Sequence, residues 1–410
     1  MSESKPRSRR RLRAIARFLS LRRAGARAAQ RYLRYLTRPE RIRPRNRVLP
    51  LRGGEQAFPR MLAAIAGARR TIDMEIYTIR ADGVGERFRS ALEERARAGV
   101  TVRLMYDALG SFGLPDAFAS SLEAAGAKVS VYAPLAPWRR RFGWNKRDHQ
   151  KILIVDDRIA FTGGLNVTDQ YVPVEEGGGG WFDVHAELEG PAVQDLARLF
   201  RRNWIHAGGD MFDKREPPEF VDPPGGMPST AVQVISNAQM RSRSHMRHAY
   251  LRAIRHADRA ISVMNAYFIP DSGLRRAFAR SARRGVSVRV IVPSVSDVRA
   301  VYFASRHLYA RLMRSGVRIF EWPERMMHAK SAVIDEIWTT IGSYNLDRRS
   351  MKHNLEVAII VIDRTIGDSM QAQFELELAR CREILPAEWE QRSWWEKWRE
   401  WIYYQFRYWL

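Results

Sequence analysis

Two short stretches of the chain place a histidine and a lysine two residues apart, with an aspartate five residues beyond the lysine. They comprise His149, Lys151 and Asp156 in the first stretch, and His328, Lys330 and Asp335 in the second. Side chains two residues apart on a strand point to one face, so each stretch is expected to present an imidazole beside an ammonium group. These groups suit a phosphodiester: a neutral imidazole attacks phosphorus, a protonated one releases the alcohol, and the ammonium groups hold the phosphate oxygens. The predicted site needs neither a metal ion nor an organic cofactor.

Other polar residues follow each stretch at like distances. Asn166 and Asn345 end the sequences Gly-Gly-Leu-Asn and Gly-Ser-Tyr-Asn, and we expect both to help bind the phosphate. Asp183 and Glu356 belong to the next long strand of each half, where either can accept the Nδ1–H of a histidine and fix its tautomer. The spacing leaves open which carboxylate pairs with which histidine.

The aspartates of the two motifs have a different position. Asp156 and Asp335 lie seven residues beyond their histidines, an odd spacing that turns them to the opposite face of a strand. Although they belong to the catalytic motifs, we expect them to anchor turns rather than to touch the substrate.

The elements that must position these residues repeat along the chain. Strand-length apolar runs alternate with helical patterns, and residues 71–77 align with residues 261–267 at an offset of 190. This alternation builds helix-covered, mostly parallel sheets. We therefore predict an α/β fold of two duplicated β-α-β-α-β sandwich domains, related by a pseudo-twofold axis, with helices on both sheet faces. The two histidines would then share one cleft.

The predicted division of the chain has five parts. They are an Arg-rich amphipathic segment (1–47), the first domain (48–207), a linker rich in proline and glycine (208–230), the second domain (231–385) and an aromatic amphipathic helix (386–410). An insertion rich in tryptophan and arginine (138–147) precedes the first motif, and its role is left open between headgroup contact and an ordinary solvated loop.

Composition and charge limit the class of protein. The 410 residues are 45% apolar, as in globular proteins, and their net charge of +24 favours anionic partners such as acidic lipid, nucleic acid or a phosphate-bearing substrate. The single cysteine excludes an internal disulfide. No apolar run approaches the roughly 20 residues of a membrane-spanning helix, and no secretory signal is expected.

Both ends of the chain suggest peripheral contact with a membrane. Residues 1–47 hold sixteen arginines and one lysine against two glutamates, and their apolar residues recur at helical spacing. Near the C-terminus, one helical stripe consists of Trp395, Trp398, Ile402, Phe406 and Trp409. Basic amphipathic helices and aromatic side chains suit a lipid–water interface. A nucleic-acid arm, a solvated tail or a transit peptide remain alternatives for the first segment, and packing on the domain or on a second subunit for the last.

The paired motifs resemble those of the phospholipase D superfamily, and the finer similarity is to bacterial cardiolipin synthases of the short type without transmembrane helices. The similarity covers about residues 50–385, including segments 53–58, 75–77, 163–167, 265–270, 284–286 and 342–350. It implies two phospholipase D-like domains on the cytoplasmic face of the bacterial inner membrane. In Asp157 and Glu336 the chain departs from the glycine that is frequent in the family after the motif aspartate.

The resemblance also implies a reaction. His149 would attack the phosphatidyl phosphorus of one phosphatidylglycerol, while His328 protonates the departing glycerol and then deprotonates a second phosphatidylglycerol, which gives cardiolipin. Lys151, Lys330, Asn166 and Asn345 would hold the phosphate. Another phospholipase D-type phosphodiesterase, either a lipid hydrolase or a nuclease, is the alternative, although the aromatic terminal helix makes nucleic acid an unexpected partner. The acceptor lipid, phosphatidylglycerol or phosphatidylethanolamine, and the oligomeric state, with a homodimer as one option, remain open.

Overall fold

The computed structural model describes residues 33–135, 145–212, 230–237, 244–323 and 325–409. Most of the predicted N-terminal amphipathic segment therefore lies outside the described residues. So do most of the insertion at 138–147 and most of the linker at 208–230.

Fifteen strands occur in the described residues. They are β1 (Arg43–Arg52), β2 (Thr71–Ile76), β3 (Thr101–Asp107), β4 (Lys128–Tyr132), β5 (Ile152–Val155), β6 (Ile159–Gly163), β7 (Val184–Glu189), β8 (Thr230–Ser236), β9 (Ala260–Asn265), β10 (Ser287–Pro293), β11 (Arg318–Trp322), β12 (Lys330–Ile334), β13 (Trp338–Gly342), β14 (Val357–Ile362) and β15 (Arg382–Glu383).

The strand order shows the duplication directly. The first half has the order β1-β7-β6-β5-β2-β3-β4, and the second has β8-β14-β13-β12-β9-β10-β11, with β15 added at its edge. Corresponding strands therefore occupy corresponding places. The halves meet where β1 pairs antiparallel with β8, which relates them by a pseudo-twofold rotation. Within each half, parallel pairs such as β2–β3 and β9–β10 lie beside antiparallel hairpins.

Eleven α-helices accompany these strands in the described ranges. They are α1 (Gly53–Ala66), α2 (Gly83–Arg97), α3 (Asp116–Ala124), α4 (Val193–His206), α5 (His245–Arg255), α6 (Ser272–Arg283), α7 (Arg299–Met313), α8 (Arg348–Lys352), α9 (Arg364–Leu378), α10 (Pro386–Glu390) and α11 (Trp394–Gln405).

Apolar residues form three core clusters that define the layers. One cluster joins α1, α2 and α3 to the first half of the sheet, and another joins α5, α6 and α7 to the second half. The third lies between the two halves and includes Phe200 and Trp204 of α4 and Phe374 of α9. Burial of each such side chain stabilises the fold by about 1.5–3 kcal/mol. The predicted α/β fold with duplicated domains and helices on both faces is confirmed.

The motif aspartates occupy turns at the ends of β5 and β12. Asp156 accepts hydrogen bonds from the backbone N–H groups of residues 69–71, and Asp335 accepts them from residues 258–260. Each aspartate and the residue after it have positive φ angles, which L-residues adopt only when other contacts compensate. These carboxylates therefore tie the turn after one strand to the start of another.

The C-terminal helix α11 packs on α7 through one face. Tyr403 stacks on Phe303 with ring centroids 5.2 Å apart, and Tyr404 stacks on His307 at 4.6 Å. Between them Glu400 is only 3% exposed. Arg306 of α7 donates a hydrogen bond of 3.1 Å to it. For this face of α11, the alternative that the C-terminal helix packs on the domain is therefore correct.

The opposite face of α11 is open. Its exposed side chains, together with those just beyond the helix, are Trp394, Trp395, Trp398, Trp401, Phe406, Tyr408 and Trp409. In the part of the chain that the structure describes, no helix is both long enough and apolar enough to cross a membrane.

Candidate active site

Both motif histidines lie where the chain crosses from one half to the other. The backbone N–H of His149 donates to the carbonyl oxygen of Leu355 at 3.0 Å, and that of His328 donates to Phe182 at 2.7 Å. The expectation that each histidine and lysine opens a strand is wrong for both histidines and for Lys151, because β5 begins only at Ile152 and β12 at Lys330. Before those points the chain has left its own sheet to pair with the other half.

This crossing places each histidine beside a carboxylate of the opposite half. The Nδ1 atom of His149 lies 3.0 Å from Oε2 of Glu356, which follows Leu355 in the chain. Likewise, Nδ1 of His328 lies 2.8 Å from Oδ2 of Asp183. Both carboxylates are fully buried. Since the carboxylate holds Nδ1, the Nε2 atom of each ring is the one available to a substrate.

The Gly-Gly and Gly-Ser pairs of the motifs make room for these carboxylates. A Cβ atom on Gly164 would come within 2.2 Å of the Asp183 carboxylate. At the corresponding place in the second half, the hydroxyl of Ser343 donates a hydrogen bond to Glu356. The second motif therefore tolerates a serine because its side chain becomes a partner of the carboxylate.

One cavity of about 450 Å³ joins the two halves. Four of the predicted site residues line it, namely His149, Asn166, His328 and Asn345. The other predicted residues lie outside its lining: the lysines and the carboxylates Asp183 and Glu356 are buried, and Asp156 and Asp335 hold the turns described above. The structure thus brings both histidines and both asparagines together.

The two lysines are buried beside the histidines. Lys151 is 1% exposed and Lys330 is 2% exposed, and the Nζ of each donates to the carbonyl oxygen of the histidine two residues earlier. Burial lowers the pKa of Lys151 to about 7 and that of Lys330 to about 8. A bound phosphodiester anion favours the charged form, so substrate binding would keep both lysines protonated.

The environments of the two imidazoles differ. Burial, with the charges of Lys151 and Lys330, lowers the pKa of His149 well below its usual value. Burial also lowers the pKa of His328, but the hydrogen bond and charge of Asp183 oppose the shift. In Glu356, the carboxylate that pairs with His149, burial raises the pKa to about 7. His149 is therefore the imidazole more strongly held neutral, as a nucleophile must be.

The two asparagines hold different positions at the wall of the cavity. Asn166 donates from Nδ2 to the hydroxyl of Tyr171 at 3.2 Å and accepts from the backbone of Thr78. Asn345 is 2% exposed, and no described residue hydrogen-bonds to its Oδ1 atom. The Asn345 amide thus has a polar atom left for a ligand.

Aromatic residues that the sequence interpretation did not assign to the site surround both histidines. The Tyr77 ring contacts His149 with centroids 4.8 Å apart. Around His328, the Tyr171 hydroxyl lies 2.9 Å from Nδ1, and the rings of Trp181 and Tyr267 lie 5.9 and 6.2 Å away. The sequence contained a signal for two of them, because Tyr77 and Tyr267 are separated by the same 190 residues that align the two halves.

The described residues contain no group of three or more histidine, cysteine, aspartate or glutamate side chains arranged to hold a metal ion. Two duplicated α/β halves that bring the histidines of two His-Lys motifs into one cavity define a phospholipase D-like protein. The family model described as "Cardiolipin synthase, PLD-like domain" matches residues 61–204 and 250–377. The chain belongs to this family, and it is a phosphatidyltransferase.

Individual relatives agree with this assignment. Cardiolipin synthase A of Pseudomonas aeruginosa (strain LESB58) is 32% identical over 341 residues, which are 83% of this chain and 69% of the relative. Cardiolipin synthase of Geobacillus kaustophilus is 34% identical over 313 residues, 75% of this chain and 61% of that protein. The crystal structure of a phosphatidylserine synthase from Haemophilus influenzae superposes with a TM-score of 0.66, covering 88% of this chain and 92% of that one. At 12% identity, this last similarity shows the fold alone.

Proposed function

We propose that the protein transfers a phosphatidyl group from one phosphatidylglycerol to a second one, giving cardiolipin and glycerol. The observation that carries the proposal is the pair of imidazoles, each held by a buried carboxylate of the other half, in one shared cavity. The relatives named cardiolipin synthase support the choice of this reaction.

In the first step, Nε2 of His149 attacks phosphorus and the bond from phosphorus to the glycerol oxygen breaks. His328 gives its proton to that oxygen, so glycerol leaves neutral and a phosphohistidine remains on His149. Lys151 and Lys330 supply positive charge behind the phosphate, and Asn166 and Asn345 supply amide groups at its side.

In the second step, a hydroxyl of another phosphatidylglycerol attacks the phosphohistidine. His328, now neutral, takes the hydroxyl proton as the new phosphorus–oxygen bond forms and His149 departs. The histidines return to their starting states, and one phosphodiester has replaced another. Because this exchange is nearly thermoneutral, transfer wins over hydrolysis only if the alcohol is bound close to phosphorus in a site that excludes water.

We also propose peripheral binding to the cytoplasmic face of the bacterial inner membrane. The exposed tryptophans of α11 suit the headgroup region, where an apolar ring and a polar N–H are both accommodated. Basic side chains lie on this helix and beside it, namely Lys397 on the helix and Arg311, Arg314 and Arg392 beside it. Trp409, which follows α11 on its open face, is 71% exposed and also lines the cavity. Lipid bound to the open face of α11 would therefore lie at the mouth of the cavity.

The test is thin-layer analysis of labelled phosphatidylglycerol vesicles incubated with the purified full chain. The proposal expects cardiolipin and glycerol from the wild type and neither from the His149→Ala variant. Phosphatidate without cardiolipin would indicate a hydrolase instead. Intact lipid together with cleavage of added DNA would indicate a nuclease, and turnover by His149→Ala would overturn the assignment of the nucleophile.

A further inference from the structure

A carboxylate that the reaction steps above do not use lies on the cavity wall near His328. Asp297 belongs to the loop between β10 and α7 and lines the cavity. Its hydrogen-bond partners among the described residues are hydroxyl groups. Tyr267 lies 2.7 Å from Oδ1 and 2.8 Å from Oδ2, and Ser296 lies 3.4 Å from Oδ1.

Asp297 differs from the other acidic side chains of the site. Asp183 and Glu356 are fully buried behind the histidines, and Asp347, which also lines the cavity, caps the N-terminus of α8 through the backbone N–H of Ser350 at 2.7 Å. By contrast, Asp297 is exposed to the cavity and caps no helix. A carboxylate accepts about four hydrogen bonds, so two hydroxyl partners leave room for more.

This carboxylate also breaks the pseudo-symmetry of the site. In the first half, the Tyr77 ring makes an edge contact with His149 and faces Lys151, whose Nζ is 4.9 Å from the ring centroid. In the second half, the corresponding Tyr267 contacts His328 and directs its hydroxyl to Asp297. The two histidines thus have matching orienting carboxylates but different surroundings at the cavity.

The charged groups that act on the two histidines also differ. Burial is the main cause that lowers the pKa of His149, and the charge of Arg349 lowers it further. Burial lowers the pKa of His328 as well, but there the charge of Asp297 acts in the opposite direction. Of the charged side chains that line the cavity, Arg349 thus acts on His149 and Asp297 acts on His328.

An accessible carboxylate in a cavity for an anionic phosphodiester repels the phosphate unless it binds another part of the substrate. Glycerol hydroxyls are donors of the right kind, and His328 is the residue that exchanges a proton with the glycerol oxygen in the proposed reaction. We propose that Asp297, oriented by Tyr267, binds the free hydroxyl groups of the glycerol headgroup and so selects a polyol as leaving and attacking alcohol. The inference rests on the proposed function.

The test compares water-soluble acceptors. The purified full chain is incubated with phosphatidylglycerol vesicles and either labelled glycerol or labelled 1-propanol, and label in lipid is counted. The wild type is expected to prefer glycerol, and Asp297→Asn is expected to lower the glycerol-to-propanol ratio about tenfold or more, as loss of a charged hydrogen bond does. Transfer to 1-propanol reports that the variant is folded and active. Tyr267→Phe should lower the same ratio less.

The control is Glu94→Gln, which changes an exposed carboxylate on α2, outside the cavity lining, and should keep the wild-type ratio. A ratio unchanged by Asp297→Asn would overturn the polyol subsite while leaving the proposed function intact. A wild type that prefers labelled ethanolamine to glycerol, and loses this preference in Asp297→Asn, would overturn it in favour of an ammonium subsite. A wild type that transfers to none of these alcohols and also forms no cardiolipin from the vesicles would overturn both proposals.

Discussion

The Nδ1 atom of His149 lies 3.0 Å from Oε2 of Glu356, a residue 207 positions further along the chain and in the other half of the duplicated fold. His328 and Asp183 form the reciprocal pair across the same boundary. Each half therefore supplies one imidazole and orients the imidazole of its partner. Neither half contains a complete proton-transfer pair, so the site exists only when the halves are packed together.

Removing an orienting carboxylate is expected to impair catalysis more than folding. Glu356→Gln keeps the size of the side chain but removes the negative charge that fixes the His149 tautomer. We expect kcat to fall by about 10²- to 10⁴-fold, the range for carboxylates that orient a catalytic imidazole. Steady-state transfer assays, with circular dichroism to verify folding, measure this effect. A folded Glu356→Gln variant with wild-type kcat would contradict the role.

The buried lysines predict a loss of activity at alkaline pH. Burial depresses the pKa of Lys151 to about 7 and that of Lys330 to about 8, so both are charged below pH 7 and lose their protons as the pH rises through 7 to 8. Since the neutral amines bind phosphate weakly, kcat/KM should decrease across this range. The decrease in kcat should come at higher pH, because bound substrate raises both pKa values. A flat kcat/KM profile to pH 9 would contradict this account.

The motif aspartates should affect stability rather than chemistry. Asp335 accepts three backbone hydrogen bonds and one of 2.6 Å from the hydroxyl of Tyr35. We expect Asp335→Ala to lower the free energy of unfolding by about 3 kcal/mol, measured by urea denaturation. Asp335→Asn, which keeps an acceptor oxygen, should lose less. A stable Asp335→Asn protein with a thousandfold lower kcat would instead place this carboxylate in the chemistry.

The open face of α11 should contribute to vesicle binding. Trp395 and Trp398 are 59% and 49% exposed. Replacing both with alanine should weaken the affinity for phosphatidylglycerol vesicles, measured by sedimentation, about tenfold or more. The reason is that transfer of the two indole rings from water to the lipid interface no longer contributes to binding. Leu376→Ala is the matched control, since Leu376 is 69% exposed on α9, outside the cavity lining. Equal vesicle binding by the double variant and the control would contradict a membrane role for this face.

Much of the fold was predictable because the duplication is visible as a repeat of strand and helix patterns. The motif histidines, lysines and asparagines were predicted as site residues for the same reason. The contacts around these residues could not be predicted, because they join distant parts of the chain. Nothing local to His149 indicates that its backbone pairs with Leu355. The same crossing decides the pairing of His149 with Glu356, which spacing left open.

Side chains outside the motifs were harder to assign. Tyr171 and Trp181 reach His328 from a loop of the first half, and Asp297 reaches the cavity from a loop of the second. Single residues on loops carry no periodic pattern, so only packing brings them to the site. For α11, the spacing of the tryptophans identified an aromatic stripe, but the buried contact of Glu400 with α7 depends on the tertiary fold.

The central claim is that the phosphatidyl group passes through a covalent bond to His149. The direct measurement is rapid quenching of the wild-type protein with labelled phosphatidylglycerol, followed by peptide mapping at alkaline pH, where phosphohistidine survives. The account predicts label on the peptide that contains His149, and none in a His149→Asn variant. Label on His328, or full turnover with no labelled peptide, would contradict it.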